Sequence, residues 1–491
     1  MKGFFLKKHL RLLALLLVLC LSVPVFVACD IEEETSGIES TEKVETSTEV
    51  LPEISRKDYG KEFYMYIQPD VNPFEYYWVE ESEHDIMSDA VYERQEKVRD
   101  YLGVEVLASK GDDHKTYTES FKTSVKNQDG SIHFMLSHVH SGIEGIISGN
   151  YLMDFQDLPG IDLDADYWNY DYMDGLAISD HMYLGYSDFN ILYTYVITFN
   201  KVMMEKYAEN LDESVYDMVL NYRWTLDKMI SIANLVYLDT DGNTIQSEGD
   251  TFGITGNLWV PFVGFMQAAN IQLVEENEKG MPVISCYNDA NREKTVELID
   301  KLHALACSDT AWFWYKVDPT PTVSLSTGRA LMNLSSSNGL PSLAQKDIDF
   351  GILPYPMWDE NQKDVGYRSL QWGGYQCLPA YLEDPQMVGE TLEMLSYFSD
   401  DVNEVYYNKL LGKQAAEAPL DKQMLDIVWD SICSDLGQTF TDITGVLYLV
   451  PELTHENTTL SIASYISSRE TSGNKAMSKF IKQVQKNEER K

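Results

Sequence analysis

The chain switches repeatedly between a short strand pattern and a helical one. Lys61–Ile67 (Lys-Glu-Phe-Tyr-Met-Tyr-Ile) predicts a strand. Met87, Val91, Val98 and Leu102 then recur at +4, +7 and +4, one face of an amphipathic helix. Gly103 is placed to end that helix, and 104–107 resumes a strand. Residues 132–136 are another apolar run, followed by a glycine-rich stretch over 141–150. Further on, Thr225 should cap a helix whose Leu226, Met229, Ile230, Ala233 and Val236 share a face. Asp289 should cap another, with Val296, Ile299, Leu302 and Ala306 inward. No internal repeat interrupts this order. Strand, helix, strand, helix, strand predicts an α/β class with mainly parallel pairing.

The first 28 residues break the pattern. Lys2, Lys7, Lys8 and Arg11 precede an apolar run over 12–28 that holds Ser22 and Pro24. This is the layout of an export signal, and it is short for a membrane span of about 20 residues. Phe26-Val27-Ala28-Cys29 resembles a bacterial lipoprotein box, with Phe26 in place of the usual Leu; it implies lipid on Cys29 and an extracytoplasmic protein anchored to the outer face of the cell membrane. An uncleaved anchor helix is the alternative. Residues 30–56 carry nine acids, two cations, eight Ser or Thr and no aromatic side chain. Such a segment cannot bury an apolar face, and 29–57 reads as a lipidated Cys followed by a self-repelling tether with a reach of about 30 Å. The folded body is then 58–491.

Charge removes whole classes of function. With 38 Lys and Arg against 78 Asp and Glu, the chain lacks the clustered cations that displace counterions, so it is not a nucleic-acid binder. One apolar run cannot make an integral transporter. Cys286, Cys307, Cys377 and Cys433 are scattered and form no Cys-x-x-Cys pair, so they read as small buried hydrophobes, with one disulfide left open.

Several short motifs resemble a family together. They are Asp89-Ala90-Val91-Tyr92-Glu93-Arg94 with Val104-Glu105-Val106, then Thr198-Phe199-Asn200-Lys201 and Tyr222-Arg223-Trp224-Thr225-Leu226-Asp227-Lys228. Gly328-Arg329-Ala330-Leu331-Met332 and Asp349-Phe350-Gly351-Ile352-Leu353-Pro354-Tyr355-Pro356 follow. In this order over most of 60–480, the chain resembles a family 1 extracellular solute-binding protein, the lipid-anchored receptor of a carbohydrate ABC importer. The resemblance implies a two-lobed periplasmic-binding-protein (clamshell) fold with a hinge of crossing strands near 184–198, 367–379 and 427–438. Lobe one would be 58–190 plus 375–430, and lobe two 191–374 plus 431–491. It further implies a monomer, a carbohydrate ligand (an oligosaccharide), ABC permease subunits as partners, and no cofactor.

A sugar is held by aromatic platforms and convergent polar groups. Trp372, in Leu370-Gln371-Trp372-Gly373-Gly374-Tyr375, is the leading candidate, with hinge packing as its alternative; the two glycines would let a ligand approach closely. Tyr375, Tyr186, Asp188 and Asn190 lie at the expected crossings. His138 and His140 follow a buried-looking strand where the family places a binding loop, solvated histidines being the alternative. Trp259 would line the opposite wall or pack in the core; Trp312 and Trp314 read as core. Asp239, Asp241, Asn243 and Asp250 stand at positions 1, 3, 5 and 12 of a calcium-type loop. Thr244 occupies the sixth position where the turn needs Gly, and Asp250 replaces Glu, so a solvated turn is the favoured reading. The rival functions are a secreted glycoside hydrolase with paired carboxylates and a glycan-binding adhesin or sensor. No His-Glu-x-x-His, Gly-x-Ser-x-Gly or phosphate loop supports an enzyme.

Overall fold

The computed structural model describes residues 51–491 except 70, 72, 259, 315–322, 447–460 and 490–491. The leader, Cys29, most of the tether and Trp259 lie outside the described residues.

Strands β1 (Lys61–Ile67), β2 (Val104–Lys110) and β3 (Phe134–His138) run parallel, with β1 between the other two. In β1 the inward residues Phe63, Met65 and Ile67 are fully buried while Tyr64 and Tyr66 stay half-exposed. Helix Ile86–Leu102 covers this sheet, and Gly103 ends it at φ +62°, a left-handed conformation open to glycine at little cost. The apolar run at 132–136 becomes a strand only from Phe134.

The chain then crosses to a second sheet built from β4 (Tyr195–Asn200), β5 (Tyr237–Leu238), β6 (Thr251–Asn257), β9 (Ala311–Trp314), β10 (Ala330–Ser336) and β11 (Phe350–Leu353). A hairpin of β7 (Val274–Glu276) and β8 (Pro282–Ile284) lies apart from it. On the return, β12 (Ser369–Leu370) pairs with β14 (Ile432–Cys433), and β13 (Gly374–Cys377) joins the edge of the first sheet beside β3.

Pairing is mixed rather than mainly parallel. Besides the short β5, the antiparallel members are β4 and β13, the strands that arrive from the other lobe. Tyr195 of β4 faces Ser336 at the carboxyl end of β10, and Gly374 of β13 faces His138 at the carboxyl end of β3. A strand entering a parallel sheet from its carboxyl end must run backwards, and an alternation pattern does not reveal the direction of entry.

The motifs behind the resemblance meet one another. Asn200 caps helix Lys201–Lys206, and its strand pairs with β11 at Phe350. A Cβ on Gly351 would collide with the Phe199 ring and the Tyr216 hydroxyl, so only glycine lets these strands meet. Trp224 is fully buried and donates from Nε1 to Pro354 O at 2.9 Å, while Thr225 caps helix Leu226–Ala233. Arg94 is buried against the Phe189 ring and donates to Tyr77 O and Ser399 Oγ; burial pulls its pKa down to about 9.

Three expectations change. Asp289 does not cap helix Arg292–Ala306: Asn291 is the N-cap residue, and Asn288 Oδ1 accepts from the amides of Ala290 and Asn291. Helix Pro419–Asp430 packs on β11 of the second sheet, not with lobe one, because helix Asp400–Glu417 has already carried the chain across. Its Asp421, 4% exposed, accepts from Lys201 Nζ at 2.6 Å, the Tyr216 hydroxyl at 2.5 Å and the Ile352 amide at 3.2 Å. The four described cysteines form no disulfide with one another, and Cys307 is exposed and Cys433 half-buried rather than buried. Residues 51–491 form one compact unit containing every described strand and the buried core, and such a unit is expected to fold by itself.

Candidate functional site

The two lobes meet where the carboxyl ends of β1 and β3 face the first and second crossings. Ligands of open α/β sheets bind at such an edge. Gln68 follows β1 and accepts from the His138 amide at 2.8 Å and from the Ser141 hydroxyl, which fixes the loop after β3. His138 ends β3 with 6% exposure and is not solvated; its Nδ1 accepts from the His140 amide at 3.0 Å, so that nitrogen carries no proton in this geometry.

Trp372 sits beside these histidines. Its ring lies 5.5 Å from His138, edge to face, and 6.5 Å from His140, near parallel. His140 Nδ1 is within hydrogen-bond distance of Thr441 Oγ1, so the segment after β14 closes the same cluster. Trp372 is 5% exposed, a burial that the hinge-packing alternative also accounts for. Gly374 is also explained without a ligand: a Cβ there would meet Val71 Cγ1 at 2.6 Å and Leu136 at 3.0 Å.

The other crossing residues form the hinge. Asn190 donates to Gly374 O at 2.7 Å and accepts from Gln376 Nε2 at 2.7 Å. Gln371 accepts from the Tyr193 amide at 3.0 Å and donates to the Tyr186 hydroxyl at 2.7 Å, and the Trp372 amide donates to Tyr193 O at 2.6 Å. Tyr186 packs on Tyr172 with ring centroids 4.6 Å apart. Tyr375 is fully buried and accepts from the Thr439 hydroxyl at 3.2 Å; burial pushes its own hydroxyl up to about 12. Both crossings are thus joined by hydrogen bonds between uncharged amide, hydroxyl and backbone groups.

Asp188 belongs elsewhere. Its carbonyl accepts from Asn403, its nearest charge is Asp400 at the start of helix Asp400–Glu417, and burial raises its carboxyl to about 7. Its amide donates to Tyr167 O at 2.9 Å. Trp312 is half-buried against Phe252, and Trp314, also half-buried, ends β9 beside Asn257. Sequence reasoning passed over Gln68, Tyr193 and Tyr195. Tyr193 and Tyr195 are half-buried with rings 6.0 Å apart at the mouth of the second sheet. Their signal was available in Gln68 directly after a parallel strand, and in a tyrosine pair at a crossing.

The acidic loop does come together. Asp239, Asp241 and Asp250 offer carboxylate oxygens within 4.8 Å of one another. The loop's own donors already satisfy them. Asp239 accepts from the amides of Asn243 and Thr244, Asp250 from those of Thr240 and Ser247, and Asp241 from Asn243 and Ser247. Thr244 takes φ +63° at the sixth position. This donor set fits a self-satisfied polar turn better than a calcium cage, in which those oxygens would face the ion.

No family model matches the chain, and no curated protein matches it. Solved structures do. An ABC substrate-binding protein from Listeria monocytogenes, in complex with cycloalternan, superposes with TM-score 0.54 at 12% identity over 85% of this chain and 99% of that one. The GacH receptor of Streptomyces glaucescens GLA.O, studied unliganded and with acarbose, gives 0.54 at 12% identity over 88% and 99%. The maltose/maltodextrin-binding domain MalE from Bdellovibrio bacteriovorus, bound to maltotriose, gives 0.53 at 12% identity over 85% and 99%. The chain has the two-lobed fold of ABC solute-binding proteins. Among the described residues no helix is long and apolar enough to cross a membrane.

Proposed function

We propose that this chain captures a carbohydrate, in particular an oligosaccharide, between its lobes and delivers it to an ABC permease. We place it outside the cytoplasm, tethered through lipid on Cys29, as a monomer without a cofactor. The observation that carries the reading is the Trp372, His138 and His140 cluster at the hinge, with Tyr193 and Tyr195 beside it. Flat faces and neutral nitrogen and hydroxyl groups suit a sugar's C–H faces and hydroxyls. The structural neighbours named above were captured with cycloalternan, acarbose and maltotriose, which agrees with this. Hydrolysis would require two carboxylates about 5–10 Å apart across the bond. The rings that pack on Trp372 are imidazoles rather than carboxylates. We read the chain as a receptor, in keeping with its binding-protein neighbours.

The test is calorimetric titration of residues 51–491 against a panel of neutral oligosaccharides. Saturable, stoichiometric binding with the glycan recovered intact is expected. Cleavage of the glycan would assign a hydrolase, and no binding to any neutral saccharide would sink the sugar reading. Separately, Cys29→Ser should release the full chain from membranes if lipid holds it.

A further inference from the structure

The last helix, Ile462–Glu488, separates charge in an unusual way for this chain. Its inner face buries Tyr465, Ile466, Met477, Phe480 and Val484. Its outer face presents Lys475, Lys479, Lys482 and Lys486, spaced four, three and four residues apart, which places them in one row along the helix. All four are exposed, and none takes part in a described ion pair. No acid occurs on this helix between Glu470, which is bound to Arg292 at 2.6 Å, and Glu488. In a chain with twice as many acids as cations, this is a row of four lysines with no acid between the first and the last. Eleven residues from the first lysine to the last span about 16 Å at the helical rise.

The platform under the row is firm. Gly473 packs against Ile284 and the Ile443 carbonyl, Phe480 packs on Phe440 with ring centroids 4.9 Å apart, and Asn487 donates to Ser148 O at 2.8 Å. Ser148 belongs to the short helix after β3 and Ile284 to β8, so this helix touches elements on both sides of the cleft.

We infer that the lysine row of helix Ile462–Glu488 is a contact face for an anionic phospholipid surface. A straight row of ammonium groups with no carboxylates between them complements a plane of phosphate headgroups. Ammonium groups bind phosphates as flexible point charges and need no paired acceptor geometry, unlike a guanidinium recognising a carboxylate. The acidic remainder of the body is repelled by the same surface, and charges beyond about 8 Å are screened at physiological salt. Attraction on one face and repulsion on the others would orient the body, helix toward the membrane. The inference rests on the extracytoplasmic, membrane-held reading above but not on the sugar.

The experiment sediments residues 51–491 with phosphatidylcholine vesicles, and with vesicles in which one-third of the lipid is phosphatidylglycerol, at low and high salt. Binding is expected to the anionic vesicles alone and to disappear at high salt. Each lysine near such a surface is worth about fivefold in partitioning, so Lys475→Gln with Lys479→Gln should weaken it roughly 25-fold. The quadruple glutamine variant should lose it while keeping the parent's melting temperature, since all four side chains are exposed. Equal sedimentation of parent and quadruple variant overturns the proposal. So does no binding by the folded parent, and the row would then face an acidic protein surface. Glycan titration of the same preparation is independent of this: binding of vesicles without sugar sinks the receptor reading, and binding of sugar without vesicles sinks this one.

Discussion

Replacing Trp372 by alanine tests the hinge-side cluster, but the structure changes what the experiment must control. The indole is 5% exposed, held between the edge of His138 and the face of His140, with its amide bound to Tyr193 O. Truncating a buried Trp costs about 3–5 kcal/mol in lost contacts and cavity. At about 2–4 °C per kcal/mol for domains of moderate size, that is a fall on the order of 10 °C in melting temperature. Lost binding in Trp372→Ala alone would therefore not separate a ligand platform from a packed hinge residue. Trp372→Phe does. It keeps a flat apolar face and most of the volume, so its stability cost should stay near 1–2 kcal/mol. If a sugar ring stacks here, the alanine variant loses at least about thirtyfold in affinity, or 2 kcal/mol, while phenylalanine retains binding within about tenfold. Titration calorimetry well below each variant's melting temperature reads both. A folded Trp372→Ala protein with the parent's affinity would refute the assignment and leave Trp372 as packing; attention would then move to Tyr193 and Tyr195.

Three further outcomes are expected. Asp421→Asn removes the buried charge that Lys201, Tyr216 and the Ile352 amide share, and should cost about 2–4 kcal/mol in denaturant unfolding; an unchanged midpoint would show that helix Pro419–Asp430 docks by apolar contacts alone. Burial raises the carboxyls of Asp188 and Glu144 to about 7 and that of Asp435 to about 6, so the native state keeps protons that the unfolded chain releases above about 4. Stability should accordingly fall as pH rises from about 4 to 7, with Asp188→Asn flattening part of the slope; a melting temperature that climbs from pH 5 to 8 would contradict this. Thr244→Gly should stabilise by about 1 kcal/mol, because a β-branched residue at φ +63° is strained while its amide bond to Asp239 is kept; a loss of stability would show that the threonine side chain holds the loop.

How much of this could be read from the sequence divides along the range of the interactions. Helix Ile86–Leu102 with Gly103, and the Thr225 cap, come from residues within a turn or two of one another, and the structure places them as the pattern predicts. The Asp289 cap failed within the same range, because Asn288 three residues before the actual N-cap offers the same Asx chemistry and pattern alone does not choose between them. The directions of β4 and β13, and the place of helix Pro419–Asp430, depend on where the chain re-enters a lobe, which no local period encodes.

The candidate site shows the same division more sharply. Trp372, His138 and His140 were named from separate parts of the chain, and the fold brings them together. Tyr186, Tyr375 and Asn190 were named for the same reason, their position at a crossing, yet their polar atoms are taken up within the hinge: Gln371 reaches Tyr186 across 185 residues of sequence, and Asn190 reaches Gly374 across 184. A crossing must satisfy its own buried backbone and side-chain polar groups before any remain for a ligand. Residue type therefore cannot separate hinge from platform at such a place. What separates them is whether a group's hydrogen bonds are already spent on the neighbouring strand. By that criterion Tyr186, Tyr375 and Asn190 belong to the hinge, their polar atoms bonded to Gln371, Thr439 and Gly374.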